Sequence, residues 1–427
     1  MYYSVAQLWK IFGHFEFIYR LIVLSFFFSG LFALFKIYEC VLKDSVLAII
    51  FTLLLFTSPV LVYYANNFLM DVPAFSLVLV SMYFFFRFIQ SENDKYFYWF
   101  VFINVIAGLL KISSLMIFIA VFGLFVLEMF NIKIDSERKI FQKPLKQFAL
   151  LISVLVIQLI LYMYASNYNS IYNGGIFLVG YLPIWDLDFV QIKVTFDAII
   201  EHIKHDYFRR ETQIVFGIMF ILVLAFYKHI NKIVLYIIIL LSIGFLLFGT
   251  LFFQALKDHD YYTINLFILI PVIFLGFLQL LKNKLYRVYS SIYFRVILII
   301  FLIYNIKFAK DQLVNRYSSV GWQNENYIVN IQPFEDINTY LQSLGIKNDD
   351  KVISISDNSI NISLYFMNKK GWTNYGINLD SLKIEKAVSL GAKYLFIYGK
   401  EVYKEPGIQP FIKNKIGEFK NIDIYSL

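Results

Sequence analysis

Charge is the first thing this sequence is short of. Only 16% of its residues are Asp, Glu, Lys or Arg, where an ordinary soluble domain carries about one quarter. Cysteine is nearly absent: Cys40 alone excludes a disulfide framework and a cysteine-based metal site. Proline is limited to 8 residues, and Pro73 at a segment start has no counterpart in Pro271 at a segment middle. The matched pair of interrupted helices that marks many inverted-repeat transporters is therefore missing. Met1–Phe15 has no apolar h-region, so no cleavable signal peptide is read there.

What the chain has instead is apolar and aromatic surface. It is 59% hydrophobic and 20% aromatic, with 47 Phe and 32 Tyr, and its mean hydropathy is +0.65. That composition predicts an α-helical polytopic membrane protein with the lipid bilayer as its solvent. The net charge of +8 sits in short loops between apolar segments. It reads as membrane topology, not as a nucleic-acid surface.

Apolar segments of spanning or near-spanning length are Ile18–Tyr38, Ser45–Tyr64, Val72–Phe88, Phe148–Tyr164, Gln213–Tyr227, Ile233–Phe252, Thr263–Leu281 and Tyr293–Phe308. Tyr98–Phe130 is too long for one span and is interrupted by Lys111-Ile112-Ser113-Ser114, so it reads as two short helices meeting at Lys111. The sum is about ten transmembrane helices. Lys and Arg collect in loops of one parity: Lys36 with Lys43, Arg87 with Lys95, the Asn131–Gln147 loop, Lys228 with Lys232, and Lys282 to Arg295. These are expected to face the cytoplasm. The other face then carries Ala65–Asp71, the Lys111 turn, Ala165–Thr212, Ala255–Tyr262, both termini and the whole C-terminal region. Within Ala165–Thr212, Val194–Ile203 reads as an interfacial amphipathic helix with Glu201, Lys204 and His205 on its polar side.

The composition shifts after Phe308, which divides the chain into residues 1–308 and 309–427. Lys351–Ser356 and Lys393–Ile397 read as buried strands, and Asn358–Phe366 and Leu382–Leu390 as helices. Gly391 is a helix stop, Phe411–Ile416 a last helix and Ile422–Tyr425 an edge strand. This alternation predicts a small extracytoplasmic α/β domain. It has no Gly-rich phosphate loop. Asp357, Asn358 and Trp372 are candidates to touch a glycan, although a purely structural role suits them better.

Three polar sites fall on one face by topology alone. Asp71 opens a helix, Lys111 sits in a turn between two short helices, and Lys257–Tyr262 (KDHDYY) precedes a late span. Read singly, Asp71 is an N-cap before Val72-Pro73, Lys111 is a snorkelling lysine, and Asp258-His259-Asp260 is a solvated loop. Together at one membrane surface they suit a particular reaction, in which a sugar leaves a lipid-linked phosphate for an acceptor hydroxyl. A carboxylate, Asp71, is an adequate base for that hydroxyl. The transition state is oxocarbenium-like. Lys111, His259, Tyr261 and Tyr262 are then candidates to bind the departing phosphate. The cofactor is left open, with a divalent cation as one option.

At these residues the chain resembles the polytopic glycosyltransferases of the GT-C class, in the branch related to protein O-mannosyltransferases, the aminoarabinose–lipid A transferase and the rhizobial galacturonosyltransferases. The pieces that carry the resemblance are Tyr2–Gly13 with Phe17–Leu21, Ser58–Phe75 (SPVLVYYANNFLMDVPAF), Ala107–Lys111 (AGLLK) and His259–Tyr262 (HDYY). Each is short; their order is the specific feature. The resemblance implies an acidic residue at Asp71, a basic one at Lys111, a late His/Tyr motif, a polyprenyl-phosphate-linked sugar donor, an extracytoplasmic acceptor and a bacterial plasma-membrane location. It also implies a helix and an acidic outer loop ahead of Met1 that this sequence does not contain, the loop carrying the family's main base. Asp71 would then be the remaining carboxylate. Two other classes stay open: a transporter or flippase of a lipid-linked sugar, and an inactive membrane scaffold presenting the C-terminal domain.

Overall fold

A computed structural model describes residues 2–13, 15–135, 138–172, 177 and 179–427. The protein is 72% helical, with one small C-terminal sheet. It forms two compact units, Met1–Leu313 and Val314–Leu427.

The first unit is all helix. It opens with α1 (Tyr2–Phe12), α2 (Glu16–Leu42), α3 (Ser45–Leu55), α4 (Pro59–Ala65), α5 (Asp71–Ser91), α6 (Asp94–Leu110) and α7 (Met116–Met129). It continues with α8 (Pro144–Tyr172), α9 (Phe189–His202), α10 (Arg210–Ala225), α11 (Lys232–Leu251), α12 (Ala255–Asp258), α13 (Leu269–Lys284), α14 (Tyr286–Tyr289) and α15 (Ile292–Tyr317). Among the described residues, 7 segments are long and apolar enough to cross a membrane, or up to 8 if a bent pair counts as one. The expected count of about ten is met only if α6 and α10 are added, and these have 17 and 16 residues.

The expected single span Ser45–Tyr64 is instead the bent pair α3 and α4, turned by 83°. The cause is local. Pro59 cannot continue α3 but suits the first position of α4, and the Thr57 hydroxyl takes over the Leu54 carbonyl at 2.7 Å. The expected break at Lys111 is present: α6 ends there, Lys111 is extended (φ −157°), and a 3-10 turn over Ile112–Leu115 leads into α7.

Polar side chains tie the helix ends into two separate layers. One layer joins Arg295 to Asp44 (2.7 Å), Lys143 to Asp94 (2.7 Å), Arg138 to Glu92, and Lys282 to the Leu42 carbonyl (2.8 Å). The other joins Arg20 to the Asn66 carbonyl (2.6 Å), Lys111 to Asp71, and Tyr64 to Asp260 (2.9 Å). The first layer is the one rich in Lys and Arg in the sequence.

Between the layers, helix packing is close where small residues allow it. A Cβ on Gly30 of α2 would lie 2.8 Å from Ser76 Cα of α5, so these backbones touch in the way small residues permit in membrane bundles. Gly30→Leu is expected to push α5 off α2 and to destabilise the unit by about 1–3 kcal/mol. A lower midpoint of thermal unfolding in detergent, with Gly30→Ala intermediate, checks this; an unchanged midpoint for Gly30→Leu would contradict the close packing.

The second unit is a three-layer α/β/α sandwich. Its helices are α16 (Glu325–Asn330), α17 (Asn338–Ser343), α18 (Ile362–Phe366), α19 (Asn374–Ile377) and α20 (Ser381–Ser389). Its strands are β1 (Lys351–Ile355), β2 (Lys370–Thr373), β3 (Ala392–Tyr398), β4 (Lys415–Phe419) and β5 (Ile422–Ser426), in the order β2-β1-β3-β5-β4. β1 is parallel to β2 and β3, while β5 is antiparallel to β3 and β4. Side chains alternate between faces: Val352, Phe396 and Tyr398 pack with Leu341 and Leu364, and Ile353, Ile355 and Leu395 pack with Ile377 and Ile384.

Three expectations change here. The segment read as a last helix, Phe411–Ile416, is the end of a 3-10 turn followed by β4. The tight turn at Lys420 (φ +54°) pairs that strand with β5. β5 is therefore interior, and β4 is the edge. Of the helix expected over Asn358–Phe366, only Ile362–Phe366 is helical: the Asp357 carboxylate holds the Ser359 N–H in a turn at 2.8 Å and meets the Ser363 N–H of the first helical turn at 2.8 Å, so the helix starts only after that turn.

Candidate functional site

The second layer of ties contains Asp71, Lys111 and the His259–Tyr262 motif. α5 begins at Asp71, which is 4% exposed. The N-cap reading of Asp71 does not hold: Met70 is the cap residue, and Asp71 is the first helical residue. Its carboxylate accepts a hydrogen bond from the Lys111 ammonium. The position still benefits from the positive end of the helix dipole, and Pro73 in the first turn costs no helical hydrogen bond.

Lys111 reaches Asp71 because α6 stops at it. Its side chain is 17% exposed, and that of Asp71 is 6%. The Lys111 Nζ atom also lies 4.5 Å from the centre of the Tyr262 ring and 5.2 Å from that of Tyr261. Both distances are in the range of cation–π attraction. The ammonium is thus held by one carboxylate and two ring faces.

The tyrosines come from a 3-10 segment, Asp260–Ile268, that leads into α13. Consecutive residues fan outward around such a tight turn, so Tyr261 and Tyr262 present their rings side by side, with centroids 4.9 Å apart. His259 is exposed and stacks on Tyr261 at 5.0 Å, edge-on to Tyr262 at 5.1 Å. Asp71, Lys111, His259, Tyr261 and Tyr262 therefore form one cluster built from three separate stretches of chain.

Two members were not expected. Tyr64 of α4 donates its hydroxyl to Asp260 at 2.9 Å, and its ring lies 5.2 Å from that of Tyr261. Asp260 is 7% exposed, although read singly in the sequence it belongs to a solvated loop within the polar stretch Lys257–Tyr262. The 83° bend between α3 and α4 is what brings Tyr64 into the site. A second carboxylate therefore lies beneath the aromatic pair. Asn265 adds a tie from the same 3-10 segment to Ser113 beside Lys111, at 3.1 Å.

The segment before α10 borders this layer. α9 spans Phe189–His202, and its start is fixed by a reciprocal capping box between Asp188 and Gln191. Expected over Val194–Ile203, it begins earlier, and a single π-helical turn over Ile203–Tyr207 follows it. His202 Nδ1 pairs with Asp206 at 2.8 Å and Nε2 faces the Lys257 carbonyl at 3.2 Å. The hydrogen bond to the Asp206 carboxylate raises the His202 pKa from its ordinary value. His202 thereby links this segment to the residues just before His259.

Among the described residues, no group of three or more His, Cys, Asp or Glu is arranged to hold a metal ion. No protein-family model and no curated protein matches the chain.

Proposed function

We propose that this protein is an integral membrane glycosyltransferase that moves a sugar from a polyprenyl-phosphate donor to an extracytoplasmic acceptor hydroxyl. The observation that carries this reading is the buried Asp71–Lys111 pair capped by Tyr261 and Tyr262 at one end of an apolar helical bundle. A phosphate monoester or diester suits Lys111, because an ammonium has three donors and Asp71 occupies one. Asp71 keeps one ammonium donor while the phosphate takes the others. It then accepts the proton of the acceptor hydroxyl while that oxygen bonds to the sugar C1. The C1–O bond to phosphate breaks, and its electron pair leaves with the phosphate, where Lys111 stabilises it. The ring faces of Tyr261 and Tyr262 keep water from the ammonium, and the exposed His259 lies where a phosphate oxygen enters.

The reading places the cluster on the outer face of a bacterial plasma membrane, with the Lys/Arg-rich layer in the cytoplasm. Impermeant thiol labelling of intact cells tests this. Cys40, beside Gln90 in the basic layer at 3.0 Å, is expected to stay unlabelled, and Lys383→Cys on exposed α20 to be labelled. The opposite pattern would reverse the orientation and remove the site from the outer face.

Transfer of radiolabelled sugar from polyprenyl phosphate in membranes tests the activity. Tyr64→Phe removes the hydrogen bond that holds Asp260 and is expected to slow transfer about tenfold, through misplacement of Tyr261 and Tyr262. An unaltered rate would separate Tyr64 from the working site. One feature favours a transporter: the bent pair α3–α4 is a broken span or a re-entrant loop. It is the single such pair among the described residues, whereas inverted repeats supply two.

A further inference from the structure

We infer that the C-terminal unit carries a second, independent binding site for a neutral carbohydrate, in the crevice at the carboxyl ends of β1 and β3. The site lies wholly within residues 314–427 and does not depend on the transfer chemistry proposed above.

The strand order sets the position. From β1 the chain crosses to β2 on one side; from β2 it passes over β1 to β3 on the other. The loops that leave β1 and β3 therefore diverge. In open α/β sheets a crevice opens at that point, outside the carboxyl ends of the strands, and ligands bind there. This sheet has such a crevice, of about 540 Å³, lined by the loop after β1 (Ser356–Ser359), the loop after β3 (Gly399–Val402) and the segment containing α16. That volume is in the usual range for small-molecule sites.

The lining selects the ligand. No Lys or Arg lines the crevice, while Asp357 and Glu401 do. A phosphate or other anion would meet carboxylates with no cation to balance them, and no glycine-rich loop offers backbone N–H groups. Four carboxamides, Asn324, Asn326, Asn330 and Asn358, stand among the Ser356 and Ser359 hydroxyls and the two carboxylates. Carboxamides offer a donor and an acceptor side by side, which suits vicinal hydroxyls. Neighbouring bonds fix their orientation. Asn330 Nδ2 donates to Asn326 Oδ1 at 2.6 Å, and Asn374 Nδ2 donates to Asn358 Oδ1 at 2.8 Å.

Aromatic surface completes the set. Trp322, 58% exposed, and Tyr327 both line the crevice. An exposed indole beside ordered amides matches the apolar C–H face of a pyranose ring. The floor is rigid: Asp357 is 2% exposed and takes the Ser359 N–H, the Ser363 N–H and the Ser363 hydroxyl, at 2.8, 2.8 and 2.5 Å. Trp372, the aromatic singled out in the sequence, lies on β2 and is not part of this lining.

Saturation-transfer NMR on the full chain in nanodiscs tests the inference, with cellotriose and triacetylchitotriose as neutral probes and adenosine monophosphate as the anionic one. Saturation is expected to reach the ring protons of at least one sugar. Trp322→Ala is expected to reduce the signal at least about fivefold; the side chain is exposed, so the fold survives its loss. Asn358→Ala is expected to reduce it as well, and Asp71→Asn to leave it unchanged. Sugar signals that persist in Trp322→Ala, or vanish in Asp71→Asn, would overturn the crevice as the site. Absence of any sugar signal, or an adenosine monophosphate signal that Trp322→Ala abolishes, would overturn the carbohydrate assignment.

Discussion

Asp71→Asn is expected to reduce sugar transfer by at least about 100-fold, the usual scale for losing a positioned base, while the protein still inserts and folds. The amide is isosteric and can still accept from Lys111, and the Tyr261 and Tyr262 rings continue to hold the ammonium. What it cannot do is take a proton. Lys111→Met behaves differently. It leaves the 4% exposed Asp71 without its cation, and breaking one side of a buried pair costs about 3–5 kcal/mol. Lys111→Met is therefore expected to lose both transfer and stability. The double variant Asp71→Asn with Lys111→Met removes both charges and is expected to regain most of the stability but none of the activity. Thermal unfolding and the radiolabel assay, run on all three variants, separate a structural pair from a working one. Near-wild-type transfer in both single variants at equal expression would make this constellation structural and sink the proposed function.

Glu128→Ala is expected to be the most destabilising substitution at the opposite end of the bundle. Glu128 sits in the last turn of α7, where the helix dipole disfavours a carboxylate. It is nonetheless 5% exposed, because its two oxygens accept the N–H groups of Ile140 and Phe141, both at 2.8 Å. These two bonds fold the basic loop back onto the bundle, and Phe141 then packs 5.2 Å from Phe125. Alanine would leave two buried donors unpaired at about 1–3 kcal/mol each. The expected result is a loss of about 2–6 kcal/mol in thermal stability and faster proteolysis within the 131–143 loop, with Glu128→Gln milder because one carbonyl oxygen remains. At a permissive temperature transfer is expected to stay normal, since the proposed transfer site belongs to the other layer. Equal melting of wild type and Glu128→Ala would refute the role of these bonds.

Much of this architecture is written in local sequence. Long apolar runs announce membrane-length helices because burying them in lipid needs no distant partner. The break at Lys111 is legible for the converse reason: a lysine amid apolar residues is costly in a continuous span. Asp71, Lys111 and the His259–Tyr262 motif stood out as polar residues in apolar surroundings, and β1 and β3 as short β-branched and aromatic runs. The charges of the basic loop read as topology, yet Arg138 and Lys143 also pair with Glu92 and Asp94.

What tertiary structure decided was partnership. No local signal says that Asp71 gives its carboxylate to Lys111, since the two are 40 residues apart. Tyr64 and Asp260 meet across 196 residues, and only the bend at Pro59, hidden in a run that reads as one span, allows it. β4 resembled a helix until β5 supplied its backbone hydrogen bonds, and the four-residue β2 is a strand only because β1 lies beside it. Solvent rewards apolar length residue by residue, so helices and spans follow from sequence alone. Ion pairs, ladders and clefts draw their energy from groups far apart in the chain, and only the folded chain brings them together.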